Sequence, residues 1–412
     1  MSESMYSPFV LPNGSKLTNR LAKAAMEENM AIPGHLPGTQ IFSLYEAWAE
    51  GGAGLLITGN VMIDHLAMTG PGGVALEADT PLDSFRQWAN AGQRNGAKLW
   101  MQINHPGRQV FAALGGKVLS PSDIALDMGK HSNLFSQPTA MTETEIQDVI
   151  QRFAITAKRA EEAGFSGVQI HAAHGYLISQ FLSPLTNKRK DRWGGSLKNR
   201  ARILIETIKA VRSVVSKNMA VAVKLNSADF QRGGFDAADA REVVESLNTL
   251  NIDMVELSGG SYESPAMQGR TSDGRTIARE AYFLDFAKDI AKAATMPVMT
   301  TGGIRRKAVA EKVLSQGIDV AGIGTALAFE PALPNIWRDN AHFEPKIPQV
   351  NWKSKPISAL ATMAIIRRQL QRMGKGKLPQ KNSSAVFSLI RDRIRFKKLT
   401  KQYRARHATE IN

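Results

Sequence analysis

Eight times along this 412-residue chain, an apolar run of strand length alternates with a stretch whose apolar residues recur at helical spacing. The runs cover residues 20–26, 54–63, 97–103, 166–172, 219–226, 252–258, 297–301 and 318–324. Most are apolar at successive positions, as strands covered on both faces must be. Helical patterns over 39–50, 82–95, 143–163, 198–215, 237–250, 281–294 and 307–315 lie between them. Thr142 with Glu145 predicts a capping box, and Asp236 predicts an N-cap. Gly51, Gly164 and Gly317 predict left-handed helix ends. Eight strand–helix units over about 340 residues fit a (β/α)8 TIM barrel better than a doubly wound sheet. No G-x-G-x-x-G follows the first strand, which disfavours a dinucleotide-binding Rossmann unit.

The net charge of +15 is concentrated at one end. Residues 353–412 carry 16 Lys+Arg against two acids, whereas residues 1–352 carry 36 against 35. The high isoelectric point therefore describes a basic tail and says little about the body. Two helical patterns, 357–373 with Leu360, Ala364 and Ile365, and 384–399 with Phe387, Ile390 and Ile394, flank a linker at 374–384. The expected organisation is a catalytic barrel over 1–352 and a basic helical extension over 353–412. That extension could pack on the barrel, lie on an anionic membrane surface, or bind nucleic acid, the last having no recognisable module behind it. The absence of cysteine excludes disulfides, thiolate zinc sites and cysteine-held iron–sulfur clusters. No uncharged apolar stretch reaches membrane-spanning length, and the first residues lack the pattern of a secretory signal. A cytoplasmic location is the expectation, with peripheral membrane association and a homo-oligomer left open.

The chemistry concentrates at 164–206. A buried strand there runs into His171, His174 and Tyr176, placing three proton-handling groups at its carboxyl end, where barrel enzymes keep their sites. Two imidazoles could hold a carbonyl or anionic oxygen, and a phenol suits protonation of a carbanion-like centre. Satisfied structural histidines are the bland alternative, and a metal reading lacks a third ligand nearby in sequence. The long segment 104–141, rich in Gly, Pro and Ser, is expected over the barrel's mouth.

The run HAAHGYLISQFLSPLTNKRKDRWGGSLKNR resembles the signature of the Old Yellow Enzyme family of FMN-dependent NAD(P)H oxidoreductases, or ene-reductases. The resemblance extends from Pro8 to Trp337 through NRLAKAAM, WMQINHPGRQ, VKLNSADF and TTGGI, and looks most like the bacterial subgroup with a His/His pair. It implies an FMN-holding barrel that reduces the activated C=C bond of α,β-unsaturated carbonyl compounds, with NADH or NADPH as hydride donor. By the same resemblance, Ala24, Ala25, Met26 and Glu27 lie along the isoalloxazine, and Asn60 and Gln102 meet its polar edge. Lys224 approaches N1 and the C2 carbonyl, while Gly302, Gly303, Gly324 and Thr325 bind phosphate through backbone N–H groups. His171 and His174 hold the substrate oxygen. Hydride goes from flavin N5 to the β-carbon and a proton from Tyr176 to the α-carbon.

Four positions depart from the family pattern. Lys224 replaces an arginine and loses the bidentate fork. Thr325 stands where an arginine commonly meets the phosphate, Trp193 replaces a tyrosine, and Glu27 replaces a threonine or cysteine that tunes the flavin. Two other readings are a reductase of enoyl or dienoyl thioesters without an iron–sulfur cluster, and a flavin-binding barrel that serves mainly as a tail-tethered interaction module.

Overall fold

The computed structural model describes residues 4–266 and 280–411, so the part of the family resemblance that runs through 267–279 lies outside the described residues. Eight parallel strands close on themselves: β1 (Leu21–Lys23), β2 (Leu55–Ile57), β3 (Lys98–Asn104), β4 (Gly167–Ala172), β5 (Ala220–Asn226), β6 (Met254–Ser258), β7 (Val298–Thr300) and β8 (Val320–Ile323). Each pairs in parallel with its neighbours in sequence order, and β8 pairs with β1 to close the barrel. The helical shell comprises α1 (Thr39–Glu50), α2 (Asp83–Gly92), α3 (Glu143–Glu162), α4 (Arg202–Val214), α5 (Ala237–Leu247), α6 (Leu284–Ala291), α7 (Lys307–Ser315) and α8 (Leu333–Asp339). This is the (β/α)8 architecture expected from the alternation.

The strands carry two faces with different chemistry. Outward side chains such as Leu56, Val168, Ile170, Val221 and Val255 join the helices in the outer core. Inward side chains begin apolar at the amino ends, with Leu55, Trp100, Ala220, Met254 and Val320, and the hairpin Phe9–Val10/Lys16–Leu17 closes that end with Leu11 and Leu17. Toward the carboxyl ends the same inward positions turn polar. Trp100 is followed by Gln102 and Asn104, Ala222 by Lys224 and Asn226, Met254 by Glu256 and Ser258, and Gly167 by Gln169 and His171. Gly167 must be glycine because a Cβ there would run into the indole of Trp100, its register partner on the neighbouring strand.

Local signals acted largely as the residue types require. Thr142 and Glu145 form the reciprocal capping box at the start of α3, and the Asp236 carboxylate accepts from Ala238 and Asp239 N–H groups at the start of α5. Gly164 and Gly317 take left-handed conformations, with φ of +89° and +86°. At the end of α1 the left-handed residue is Gly52, at φ +92°, and not Gly51, which stays helical at φ −69° and donates to Ala47. The run 54–63 is not one strand. The Gly59 N–H turns aside to the Glu28 carboxylate at 2.8 Å, and Val61–Met62 pairs separately with Ile103 and Asn104.

The tail folds against the barrel as α9 (Lys355–Met373) and α10 (Ala385–Arg406), followed by a terminal turn, Ala408–Ile411. Helix α9 packs on α1 and on the short helix Thr325–Phe329, burying Ala361, Ala364, Ile365 and Leu370. Helix α10 runs past the expected end at 399, and its packed stripe is not the expected one. Phe387, Ile390 and Ile394 are exposed, while Phe396, Leu399 and Tyr403 turn toward the barrel. Phe396 meets the Phe111 ring at 5.2 Å, Tyr403 donates to the His65 carbonyl, and Arg395 donates to the Asn29 carbonyl. These contacts supply the stability that carries the helix beyond its local apolar signal. No helix among the described residues is long and apolar enough to cross a membrane.

Candidate active site

The carboxyl ends of β3 to β6 bring together a buried polar layer. Gln102 donates to Gln169 at 2.7 Å, Gln169 donates to Glu256 at 2.8 Å, and Lys224 pairs with the other Glu256 oxygen at 2.7 Å. Parallel register explains the order, because Gln102 lies opposite Gln169 and Lys224 opposite Glu256. The Lys224 and Glu256 side chains are 4% and 0% exposed. The lysine charge thus meets a carboxylate within the protein itself, a partner that sequence reading missed. One signal was available: Glu256 is the only acid in the apolar strand MVELS and sits on the same alternation as Lys224 one strand away.

Above this layer stand the two histidines and the tyrosine. His171 is buried at the end of β4, and its Nδ1 accepts the Ala173 N–H, which leaves the proton on Nε2 as a donor. His174 adopts φ +62°, held by its N–H to Asn226, and its Nε2 meets the Ser258 hydroxyl at 2.8 Å. Burial holds both imidazoles well below the usual histidine range; the neighbouring Lys224 adds to this, and His174 adds to it for His171. They are neutral at physiological pH. The His171 ring centroid lies 5.1 Å from that of His174 and 4.8 Å from that of Tyr176.

Tyr176 precedes the short helix Leu177–Leu182, and its hydroxyl lies 3.2 Å from that of Tyr262. Burial pushes the Tyr176 phenol well above 10, helped by Tyr262 and by the Glu27 carboxylate, and burial pushes Tyr262 up to about 12. Tyr262 comes from the loop after β6 and was not singled out from sequence; nothing in its local pattern marks it. Phe135, from the segment 104–141, packs on Tyr262 at 6.1 Å and stacks on Phe111. Gln109 of that segment donates to the His174 carbonyl, and Arg108 pairs with Glu263 at 2.7 Å. The long segment therefore borders this cluster, where the sequence suggested a mouth.

The other expected residues lie around the same rim. Ala24 continues β1 by donating to Ile323, and Glu27 accepts the Thr69 hydroxyl at 2.6 Å. A buried device outside the barrel fixes the segment between them. Lys23 donates to the Ile57 carbonyl at 2.7 Å and to Tyr45, and Tyr45 in turn bonds Glu28. Burial brings the Lys23 ammonium down to about 7, against the opposing pull of Glu28. Beyond β7 and β8, no acceptor among the described residues takes the N–H groups of Gly302, Gly303, Gly324 or Thr325. A Cβ added to Gly324 would meet nothing within 4 Å, whereas Gly303 lies against the Tyr282 hydroxyl. Asn60 Oδ1 and both Asn104 side-chain atoms are buried without a partner in the protein. Buried polar atoms of this kind call for a bound polar group. Free N–H groups at the last two strands, with clear space beside Gly324, and orphaned amides across the rim fit a planar, polar-edged cofactor carrying a phosphate. An open cleft of about 610 Å³ is lined by Arg305, Glu344, Lys346 and Lys381 among others and includes none of these residues.

Residues 4–341 match the model of the NADH:flavin oxidoreductase / NADH oxidase family. The chain belongs to that family. An NADH-dependent flavin oxidoreductase of Hypocrea jecorina, iliE, is 38% identical over 349 residues, covering 79% of this chain and 87% of that protein. Among solved structures, a 2-naphthoyl-CoA reductase in complex with 2-naphthoyl-CoA superposes with a TM-score of 0.75 at 26% identity. It covers 82% of this chain, which spans only 52% of that longer one. The old yellow enzyme homologue from Zymomonas mobilis superposes with a TM-score of 0.72 at 22% identity, covering 86% of this chain and 98% of its own. The chain is thus an oxidoreductase dependent on FMN and on a reduced nicotinamide, with the barrel fold of the old yellow enzyme homologue.

Proposed function

We propose that this flavin oxidoreductase reduces activated C=C bonds of α,β-unsaturated carbonyl compounds. The observation that carries the reading is the convergence of two neutral imidazoles and one protonated phenol at the carboxyl end of β4. FMN, when bound, supplies the chemistry of accepting hydride from NADH or NADPH and delivering it to the substrate's β-carbon. His171 Nε2–H and His174 hold the carbonyl oxygen and draw density from the double bond. Neutral donors suit this task, because they favour charge developing on oxygen without surrendering a proton to it. Tyr176 gives its proton to the α-carbon, and Tyr262, at 3.2 Å, is positioned to orient that hydroxyl.

For the cofactor, Gly302, Gly303, Gly324 and Thr325 would hold the phosphate and Ala24, Ala25, Met26 and Glu27 would flank the ring. Asn60, Gln102 and Lys224 would meet its polar edge. The His/His pair supports placement with the subgroup that carries a second histidine. The same reading divides the chain into a catalytic barrel over 1–352 and an extension over 353–412. The exposed basic and apolar face of α10 keeps an anionic membrane surface as a partner of that extension. Salt-dependent liposome binding that survives truncation at Trp352 would refute this last part.

The deciding experiment is anaerobic. A flavin absorbance band should bleach with NADH or NADPH and recover on addition of 2-cyclohexenone. Tyr176→Phe should retain bleaching and slow recovery by about 10²–10⁴-fold, the usual range for general acid catalysis. Recovery at the wild-type rate in that variant would remove Tyr176 from the mechanism.

A further inference from the structure

Outside the set of active-site residues, three imidazoles and two carboxylates meet where the tail's last turn closes on the body. His407 and Glu410 come from the end of the tail, one helical turn apart. His35 follows β1, and His65 and Glu77 follow β2. His65 Nδ1 lies 2.8 Å from Glu77, and its Nε2 lies 3.1 Å from Glu410 Oε1. His407 Nδ1 lies 2.7 Å from Glu410 Oε2, and its Nε2 lies 3.0 Å from His35 Nε2.

Following the ring protons shows what this cluster asks for. His35 Nδ1 faces the Gly73 carbonyl at 3.2 Å and must donate, so its Nε2 is a lone pair. His407 Nε2 therefore carries a proton toward it. His65 Nδ1 faces the Glu77 carboxylate and carries a proton as well. Once those outer bonds are made, neutral rings leave His65 Nε2 and His407 Nδ1 as lone pairs, both aimed at the Glu410 carboxylate. Donor atoms of these three residues lie within 4.8 Å of one another. Two ring nitrogens and a carboxylate facing one point are matched by a cation between them, either a metal ion or the ring protons themselves.

We propose that His65 Nε2, His407 Nδ1 and Glu410 bind a divalent metal of the zinc class, which staples the C-terminal tail to the barrel. Zinc bonds of about 2.0–2.1 Å put tetrahedral ligand atoms roughly 3.4 Å apart, so the spacings to Glu410 of 3.1 Å from His65 and 2.7 Å from His407 must widen by under an ångström, a shift the last turn of the tail can make. The outer bonds, Glu77 to His65 and His35 to His407, are the second-shell contacts that fix ring orientation and tautomer in such sites. Imidazole ligands favour zinc over magnesium or calcium. His65 and Glu410 side chains are 28% and 42% exposed, so an ion and a fourth, water ligand can arrive from solvent. Asp64 lies close to His65 and Glu77 and adds negative charge, while Arg152 and Arg406 border the cluster and oppose it.

The staple's purpose follows from what it holds. Tyr403, one turn before His407, is buried against His65, and further up the same helix Phe396 packs on Phe111, which stacks on Phe135 beside Tyr262. Fixing the last turn therefore fixes the helix that buttresses the segment bordering Tyr262 and Tyr176.

The test uses full-length, flavin-loaded protein freed of metal by chelator and dialysis, then titrated with ZnCl2 in competition with a chromophoric zinc chelator. One zinc per chain should bind, MgCl2 should not compete, and zinc should slow tryptic cleavage in the tail. His407→Gln and Glu410→Gln, which keep hydrogen-bonding capacity, should weaken zinc binding at least tenfold while flavin content stays unchanged. Failure to take up one equivalent, or equal zinc affinity in both variants and the wild type, would overturn the proposal and leave ring protons as the cations of the cluster.

Discussion

The Lys224–Glu256 pair offers a quantitative test of the polar layer beneath the site. At 2.7 Å, with both side chains almost without solvent, the gross attraction is about 6 kcal/mol at an effective dielectric constant of about 20. Most of that offsets desolvation, so the pair as a whole adds little net stability. Removing one member is different, because it strands the other. Lys224→Met leaves a buried carboxylate that keeps its hydrogen bond from Gln169 but loses its ion-pair partner, and Glu256→Gln leaves a buried ammonium facing an amide. Each single change should cost about 3–5 kcal/mol, and the double change should cost much less than the two together. The expected coupling is therefore roughly 3 kcal/mol. Urea unfolding followed by tryptophan fluorescence measures it, run without FMN and with FMN in excess to separate altered flavin affinity from the pair itself. Single effects that add to within about 0.5 kcal/mol would show that the two charges do not depend on each other.

Three further outcomes follow from the same contacts. Glu256→Gln frees the Lys224 charge, so the flavin midpoint potential should rise by roughly 30–60 mV, given that about 30 mV corresponds to 1.4 kcal/mol for a two-electron couple; an unchanged potential in a spectroelectrochemical titration would place the lysine away from the flavin. Burial lowers His105 to about 4, and a histidine kept neutral only in the folded state loses nothing above its unfolded value near 6.5 and progressively destabilises the fold below it. His105 alone should remove about 2 kcal/mol by pH 5, visible as a lower urea midpoint than at pH 8, with the difference shrinking in His105→Gln. Thr142→Ala opens the capping box at α3 and should cost about 1 kcal/mol; a loss below about 0.3 kcal/mol would mean that water replaces the cap fully.

How much of this was legible in sequence depended on the range of the interaction. Periodicity is local, so α1 and α7 begin and end where the residue pattern puts them. Strand limits were less legible because pairing, not propensity, ends a strand. The run 54–63 reads as continuous, yet a glutamate from the first strand's exit loop captures the Gly59 N–H and breaks it. The signature stretch put His171, His174 and Tyr176 within six residues, so their proximity was already written in the chain. Tyr262 reaches Tyr176 from 86 residues away and has no local mark.

The tail shows the division most sharply. Composition alone located its charge and its two helices, because a run of basic residues and a helical spacing are properties of consecutive positions. Which side of α10 packs was a tertiary matter. The apolar positions 387, 390 and 394 look like a buried stripe, but the surface available to the helix selects Phe396, Leu399 and Tyr403 instead. By itself the sequence determined the eightfold barrel, the strand that ends in the reactive residues and the place of the basic extension. Only the tertiary structure decided that Lys224 is neutralised by Glu256, that Tyr262 meets Tyr176, and that His35, His65 and His407 converge. The physical reason is that strand register and loop closure bring distant residues within bonding distance, and neither is encoded at any one position.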